Sequence, residues 1–376
     1  VDQAILSIQK EAIKVKVFDQ VRVEPTDESF KEAIRFAIDG QFDGYVAVGG
    51  GSSIDTAKAA NLYATYPADF LEYVNAPIGK AVPVPGPLRP LFAIPTTSGT
   101  GSETTGVSIF DFLEMKAKTG ISSRTLRPVM GLVDPLHTKT LPGMVVASSG
   151  LDVLCHGLES YTALPYQKRN APDKIDLRPT YQGSNPISDI WSIKAVEMVG
   201  ENIVEAVQNP LNHEARTQMI LAATFAGIGF GNAGCHLPHG MSYPISGMVK
   251  DFIVDGYPED SPLIPHGISV ILTAPAVFRY TALADPKRHL EAASAMGFDV
   301  QGLTDEDAGE ALAQAIINII RQIGVPNGLE AVGYTESDLY SLVNGTLPQK
   351  RVVDLSPRLV NSDDIHQILM DSMKLW

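Results

Sequence analysis

Positive charge is the scarce sign in this chain: 29 lysines and arginines stand against 43 aspartates and glutamates, for a net charge of −14. That balance excludes a nucleic-acid binder, which needs a basic footprint to meet phosphates. It leaves room for small anionic ligands, which a few local cations can serve. Cysteine is nearly absent. The two residues, Cys155 and Cys235, build no disulfide framework, and a reducing compartment is expected. No apolar run reaches the roughly 18 residues of a helical membrane span. No basic stretch followed by a hydrophobic segment opens the chain. What is present is a globular composition, 44% hydrophobic and 19% charged, and 376 residues are too many for one ordinary core, so two domains are expected.

To about residue 140 the pattern alternates. Val15–Phe18 reads as a strand, and Asp27–Ile38 carries a helical stripe of Phe30, Ala33, Ile34, Ala37 and Ile38. Tyr45–Val48 reads as a buried strand, Ile54–Tyr63 as a helix and Leu91–Ile94 as a second buried strand, with a Pro- and Gly-rich loop over Ala76–Pro90. Strands alternating with helices predict an α/β unit with a parallel sheet. From Pro142 onward the periodicity is helical: Val145–Thr162, Ser188–Val207, Glu214–Phe230 and further segments to the end. Loop-like insertions fall at Pro165–Asn185, Asp251–Pro265 and Leu347–Asn361. The expected organisation is an α/β dinucleotide-binding domain over residues 1–140 and an all-helical domain over residues 141–376.

Two loops in the first part could handle phosphate. Gly49-Gly50-Gly51-Ser52 follows a strand and opens a helix, with Asp55 one turn in. Glycines let backbone approach a ligand closely, and free N–H groups at a helix start attract anions. The same residues also make a plain tight turn with Ser52 as N-cap, and they do not form GxGxxG. Pro95-Thr-Thr-Ser-Gly-Thr-Gly-Ser-Glu103 follows the next strand and offers hydroxyls and N–H groups. Two such loops at neighbouring carboxyl ends are where open α/β sheets hold nucleotides. In the helical part, Asp152 and His156 stand at i and i+4, on one helix face. They are either a satisfied structural pair or half of a metal site completed by two His-Gly dipeptides, His239-Gly240 and His266-Gly267. One carboxylate and three imidazoles suit iron, zinc or nickel better than calcium. His137, His213, His236 and His289 read as ordinary satisfied histidines.

The ordered set GGGS, PTTSGTGSE, GLDVLCHGLES, HGMSYPISG and PHG resembles the iron-containing alcohol dehydrogenase family, from about residue 40 to Trp376. The resemblance implies a dinucleotide-binding α/β domain and a helical domain with metal and substrate between them. It implies metal ligands at Asp152, His156, His239 and His266, with Fe(II) favoured and zinc possible. NAD contacts are implied at Gly49, Gly50, Gly51, Ser52, Asp55, Thr96, Thr97, Thr100 and Ser102, with Lys118 at a further cofactor position. Tyr181–Trp191, Phe225–Gly234 and Gly345–Gln349 resemble the hydroxyacid–oxoacid transhydrogenase branch. That branch implies tightly held NAD and hydride transfer from 4-hydroxybutyrate or 3-hydroxybutyrate to 2-oxoglutarate, in a ping-pong cycle. A dehydrogenase that releases NADH is the nearest alternative, and a metal- and nucleotide-binding scaffold without turnover is a rival from another class.

Three departures from the family pattern carry expectations. Tyr243 stands where much of the family has the second histidine of HGxxH, so Tyr243 is expected to face the nicotinamide as a catalytic residue. The 27-residue step from His239 to His266 holds an acidic insertion, Asp251–Asp260. No counterpart of the family's first strand precedes Val15, so that strand is expected to be missing. For the substrate carboxylate, the basic candidates are Lys168, Arg169, Arg178, Lys350 and Arg351, with Arg178 chosen because it precedes the Tyr181 segment. Small hydroxy and oxo acids are the expected partners, and a homo-oligomer the expected assembly. Cytoplasm is the expected location, with the mitochondrial matrix as the alternative.

Overall fold

The computed structural model describes residues 1–115, 117–173, 178–257 and 262–376. The chain opens with α1 (Asp2–Lys10), which buries none of its residues. Val15–Phe18, expected as a strand, runs without regular structure. It finds no ladder partner among the described residues, and Phe18 instead packs its ring 5.4 Å from Phe36. Helix α2 (Asp27–Gly40) is started by a capping box, with Thr26 accepting from Ser29 N and Ser29 Oγ accepting from Thr26 N. Its stripe buries Phe30, Ala33, Ile34 and Ala37 as the periodicity requires, while Ile38 faces solvent.

Strand β1 (Tyr45–Gly49) leads into α3 (Gly51–Thr65), and β2 (Leu91–Pro95) pairs with β1 in parallel, Tyr45 opposite Leu91 and Gly49 opposite Pro95. This register places both strands' carboxyl ends side by side, so the two glycine-rich loops emerge together. An antiparallel hairpin of β3 (Val107–Phe112) and β4 (Ala117–Ser122) follows, and the short β5 (Met130–Gly131) joins the other side of β2. The hairpin escapes a hydrophobicity reading because β4 buries Lys118 and Thr119 rather than an alternating apolar set.

The second part is built around α4 (Gly143–Thr162), flanked by α5 (Pro186–Gln208), α6 (His213–Ala233) and α8 (His266–Ile271). Leu151, Leu154 and Leu158 are fully buried on α4; each contributes about 1.5–3 kcal/mol of burial energy. Polar Asp152, His156 and Glu159 are buried on the same helix, and it is this set that calls for a special explanation. Between α6 and α7 (Leu237–Gly247) the chain turns by 105°, through Gly234 at φ 96°. Later helices, α9 (Ala274–Thr281), α10 (Pro286–Ala295), α11 (Ala308–Gln322), α12 (Leu339–Thr346), α13 (Lys350–Val353) and α14 (Ser362–Asp371), complete the core.

Candidate active site

Four side chains from three helices converge where α4, α7 and α8 meet. Asp152 Oδ1 lies 3.6 Å from His156 Nε2, 3.4 Å from His239 Nε2 and 3.7 Å from His266 Nε2. All four residues line one cavity of about 120 Å³. These separations are too long for good hydrogen bonds. They match the edge of a coordination tetrahedron instead: bonds of about 2.1 Å to a central cation put its ligands about 3.4 Å apart. Asp152 Oδ1 and His239 Nε2 are buried and unpartnered, the signature of atoms that accept a ligand the protein does not supply. The donor set therefore fits a divalent transition metal.

The protonation states of His156 and His266 agree with that fit, and His239 carries a proton that a bound metal would displace. Burial pushes His156 down to about 3 and lowers His266 as well, so both imidazoles are neutral lone-pair donors. Burial works against ionised Asp152, but at the acid pH where it would protonate the facing imidazoles, His156 first, are charged and hold the carboxyl below its ordinary range. His239 is different: burial opposes its charge, yet Glu159 raises it well above the usual imidazole value. His239 Nδ1 donates to Glu159 Oε1 at 2.6 Å, and Glu159 Oε2 accepts from His236 N at 2.7 Å. With one proton fixed on Nδ1 by Glu159, the proton a metal would displace from the charged ring is the one on Nε2 facing Asp152, the arrangement that orients a ligating histidine. Glu159 was missed in the sequence, although it stands at i+7 from Asp152 and i+3 from His156 on the same buried helix.

Close backbone approach sets the position of His266. A Cβ on Gly267 would lie 1.8 Å from Ser148 O, so only glycine lets α8 begin against α4. The ring of His156 stacks on Phe230 at 3.8 Å.

The glycine-rich loops meet this cavity from the α/β side. Gly51, Ser52, Asp55, Thr100, Ser102 and Lys118 line it. Gly49, Gly50, Thr96 and Thr97 form the adjoining turn: Thr96 N donates to Gly49 O at 3.0 Å, and a Cβ on Gly50 would lie 3.0 Å from Thr97 Cγ2. Asp55 is largely engaged by the protein, since Ile109 N donates to Oδ2 at 2.9 Å and Ser102 Oγ donates to Oδ1. Fully buried Lys58, unforeseen from the sequence, ties this loop together by donating to Ser102 Oγ at 2.6 Å and Val107 O at 2.7 Å. Lys118 Nζ lies 2.6 Å from Glu24 Oε2 and 3.0 Å from Asp111 Oδ1. Burial disfavours its charge, but the two carboxylates outweigh that and keep it protonated. Glu24 is held at φ 53°, a left-handed conformation uncommon outside glycine.

Tyr243 is buried and lines the cavity, but its phenol oxygen accepts from Arg351 Nη2 at 2.7 Å. Arg178, the expected carboxylate partner, is exposed and is not among the residues lining the cavity; proximity in sequence to Tyr181 did not carry it there. Arg351 is the arginine that does line it. Residues 258–260 of the acidic insertion lie outside the described residues. Of the histidines expected to be ordinary, His289 is satisfied at both nitrogens, by Thr281 Oγ1 and Asp285 O, whereas His236 pairs Nε2 with Thr162 Oγ1 at 3.0 Å but leaves Nδ1 buried without a partner among the described residues.

Comparison with known proteins points to a metal-dependent oxidoreductase family. The sequence profile for iron-containing alcohol dehydrogenase matches residues 1–135, and that for the Fe-containing alcohol dehydrogenase family, C-terminal, matches residues 180–373. The mitochondrial hydroxyacid-oxoacid transhydrogenase of Mus musculus is 57% identical over 372 residues, 98% of this chain and 80% of that one. The Homo sapiens protein of the same name is 56% identical over 378 residues, 100% of this chain and 81% of that one. Among solved structures, 1,3-propanediol oxidoreductase superposes with a TM-score of 0.84 at 27% identity, over 99% of this chain and 87% of that one. Sulfoacetaldehyde reductase from Bifidobacterium kashiwanohense, in complex with NAD+, superposes with a TM-score of 0.78 at 26% identity, over 98% of this chain and 86% of that one. With an α/β part and a helical part meeting at a metal-fitting cavity, the chain is a metal-dependent oxidoreductase that belongs to the iron-containing alcohol dehydrogenase family, in its hydroxyacid–oxoacid transhydrogenase branch.

Proposed function

We propose that this chain is a hydroxyacid–oxoacid transhydrogenase, moving hydride from a hydroxy acid such as 4-hydroxybutyrate to 2-oxoglutarate through an NAD that stays bound. The convergence of three imidazole nitrogens on Asp152 Oδ1 at 3.4–3.7 Å carries the chemical part of this reading. The 57% identity to a named transhydrogenase over nearly the whole chain supports the branch. When bound, the metal supplies a Lewis acid for the alcohol oxygen, and the nicotinamide takes and returns the hydride.

The residues divide the remaining work. Asp152, His156, His239 and His266 hold the metal, with Fe(II) favoured and zinc tolerated. Glu159 keeps the proton of His239 on Nδ1. The loops around Gly49–Ser52 and Thr96–Ser102 would hold the cofactor, and the N–H groups at the start of α3 would supply donors for its phosphates. Lys118 is a buried cation at the same wall, balanced by Glu24 and Asp111. Tyr243 fixes one wall of the substrate space and is itself fixed by Arg351.

The balanced exchange converts 4-hydroxybutyrate and 2-oxoglutarate to succinate semialdehyde and 2-hydroxyglutarate. Each alcohol oxidised releases one proton with its hydride, and each ketone reduced takes one back. Small hydroxy and oxo acids are the partners, a homo-oligomer is the working form, and the mitochondrion named for the relatives is favoured over the cytoplasm. The test supplies metal-loaded protein with both substrates and no added NAD. Formation of 2-hydroxyglutarate is expected; NADH release from 4-hydroxybutyrate alone, with product only when NAD is supplied, would make the chain a dehydrogenase instead.

A further inference from the structure

Arg351 presents a half-buried cation without a counter-ion among the described residues. Its Nη2 donates to Tyr243 Oη at 2.7 Å, and its guanidinium lies over the Tyr181 ring at 5.0 Å. Its Nη1 is buried and has no hydrogen-bond partner among the described residues. Three carboxylates line the same cavity, and each is engaged elsewhere. Glu24 pairs with Lys118, Asp55 accepts from Ser102 and Ile109, and Asp152 faces the three histidines. A desolvated guanidinium left unpaired is costly, and its planar fork suits a carboxylate held by two parallel hydrogen bonds.

We propose that Arg351 receives the substrate carboxylate remote from the reacting carbon, and that donor and acceptor acids use it in turn. The proposal rests on the functional reading above and adds its specificity element. Tyr181 covers one face of the guanidinium and Tyr243 occupies Nη2, so Nη1 is the nitrogen left for an incoming anion. In 4-hydroxybutyrate the carbinol carbon and the carboxyl carbon are three bonds apart. In 2-oxoglutarate the keto carbon and the distal carboxyl carbon are also three bonds apart. One arginine at a fixed distance from the Asp152 cluster therefore seats both acids with their reacting carbons at the same point. That is what alternate occupancy of one site requires.

Pyrophosphate of the cofactor is the other anion that a guanidinium at this cavity could meet, and the experiment separates the two. Glutarate, a five-carbon dicarboxylate with no carbonyl to reduce, is titrated calorimetrically into the metal- and cofactor-loaded protein and its Arg351→Gln and Arg351→Lys variants. Cofactor-stripped forms are titrated with NADH. Glutarate affinity is expected to fall at least about 30-fold in Arg351→Gln and less in Arg351→Lys, with NADH affinity changing by much less. The kcat/KM of Arg351→Gln for 4-hydroxybutyrate is expected to fall at least about 30-fold more than that for 1-butanol. Glutarate affinity within about threefold of wild type, equal losses on acid and alcohol, or an NADH loss matching the glutarate loss would each overturn the assignment. Selective loss on acids in a protein that needs added NAD would sustain Arg351 and remove the transhydrogenase reading. Turnover without added NAD but unaltered in Arg351→Gln would do the reverse.

Discussion

Replacing Glu159 with glutamine tests how the metal set is held. Glu159 is fully buried and accepts three donors: His239 Nδ1 at 2.6 Å, His236 N at 2.7 Å and His239 N at 3.4 Å. Glutamine has the same shape but one oxygen and one NH2. If its oxygen meets the backbone N–H groups, the NH2 points at His239 Nδ1–H, and the imidazole must move its proton to Nε2. That nitrogen then cannot donate a lone pair toward Asp152. If the amide flips, two backbone donors at His236 and His239 face an NH2 and lose their acceptor. Either way a charge-assisted hydrogen bond worth about 1.5–3 kcal/mol is lost. Metal affinity should therefore fall roughly 10–100-fold. The assay is competition between a fluorescent zinc chelator and the metal-free protein, wild type against Glu159→Gln, with circular dichroism confirming the fold. A zinc affinity within about threefold of wild type in a folded variant would refute the reasoning.

Gly267→Ala should lower stability by about 2–3 kcal/mol and weaken metal binding, because its Cβ would meet Ser148 O at 1.8 Å and drive α8 from α4. Wild-type melting and metal affinity would contradict the close approach. Lys58→Met should lower Tm by about 10 °C, since it leaves Asp55 and Ser102 without their buried cation; a shift under about 2 °C would contradict it. Burial pushes His289 from 6.5 down to about 4. Above pH 6.5 neither state is protonated there. Between pH 6.5 and 4 only the unfolded chain takes the proton, so stability falls with pH by about 3 kcal/mol in all and then levels. His289→Gln should flatten that slope in chemical denaturation at stepped pH, and an unaltered slope would assign the acid sensitivity elsewhere.

Local motifs were readable and long-range pairings were not. The Asp152–His156 step and the two glycine-rich loops announce themselves because their partners lie within one turn or one loop. The stripe on α2 was readable because burial there follows the helical period, except at its rim, where Ile38 faces solvent. Lys58 meets Ser102 across 44 residues, Lys118 meets Glu24 across 94 and Arg351 meets Tyr243 across 108. Nothing in the spacing of such residues marks them as neighbours; the parallel register of β1 and β2, the β3–β4 pairing with the Thr26–Asp111 bridge, and the packing of α13 on α7 bring them together. Arg178 failed for the same reason in reverse, being near the site in sequence and exposed in space. Val15–Phe18 has a strand's composition, but a strand needs a neighbour to accept its hydrogen bonds.

The most direct test of the central claim follows the hydride itself. Enzyme carrying its bound cofactor is given 4-hydroxybutyrate deuterated at the carbinol carbon, 2-oxoglutarate and an excess of unlabelled NADH. The 2-hydroxyglutarate formed is then weighed by mass spectrometry. Retention of the cofactor predicts product that carries deuterium at C2 almost throughout. Product carrying mainly protium would show that the hydride passes through the free NADH pool, and the account of a held cofactor would be contradicted.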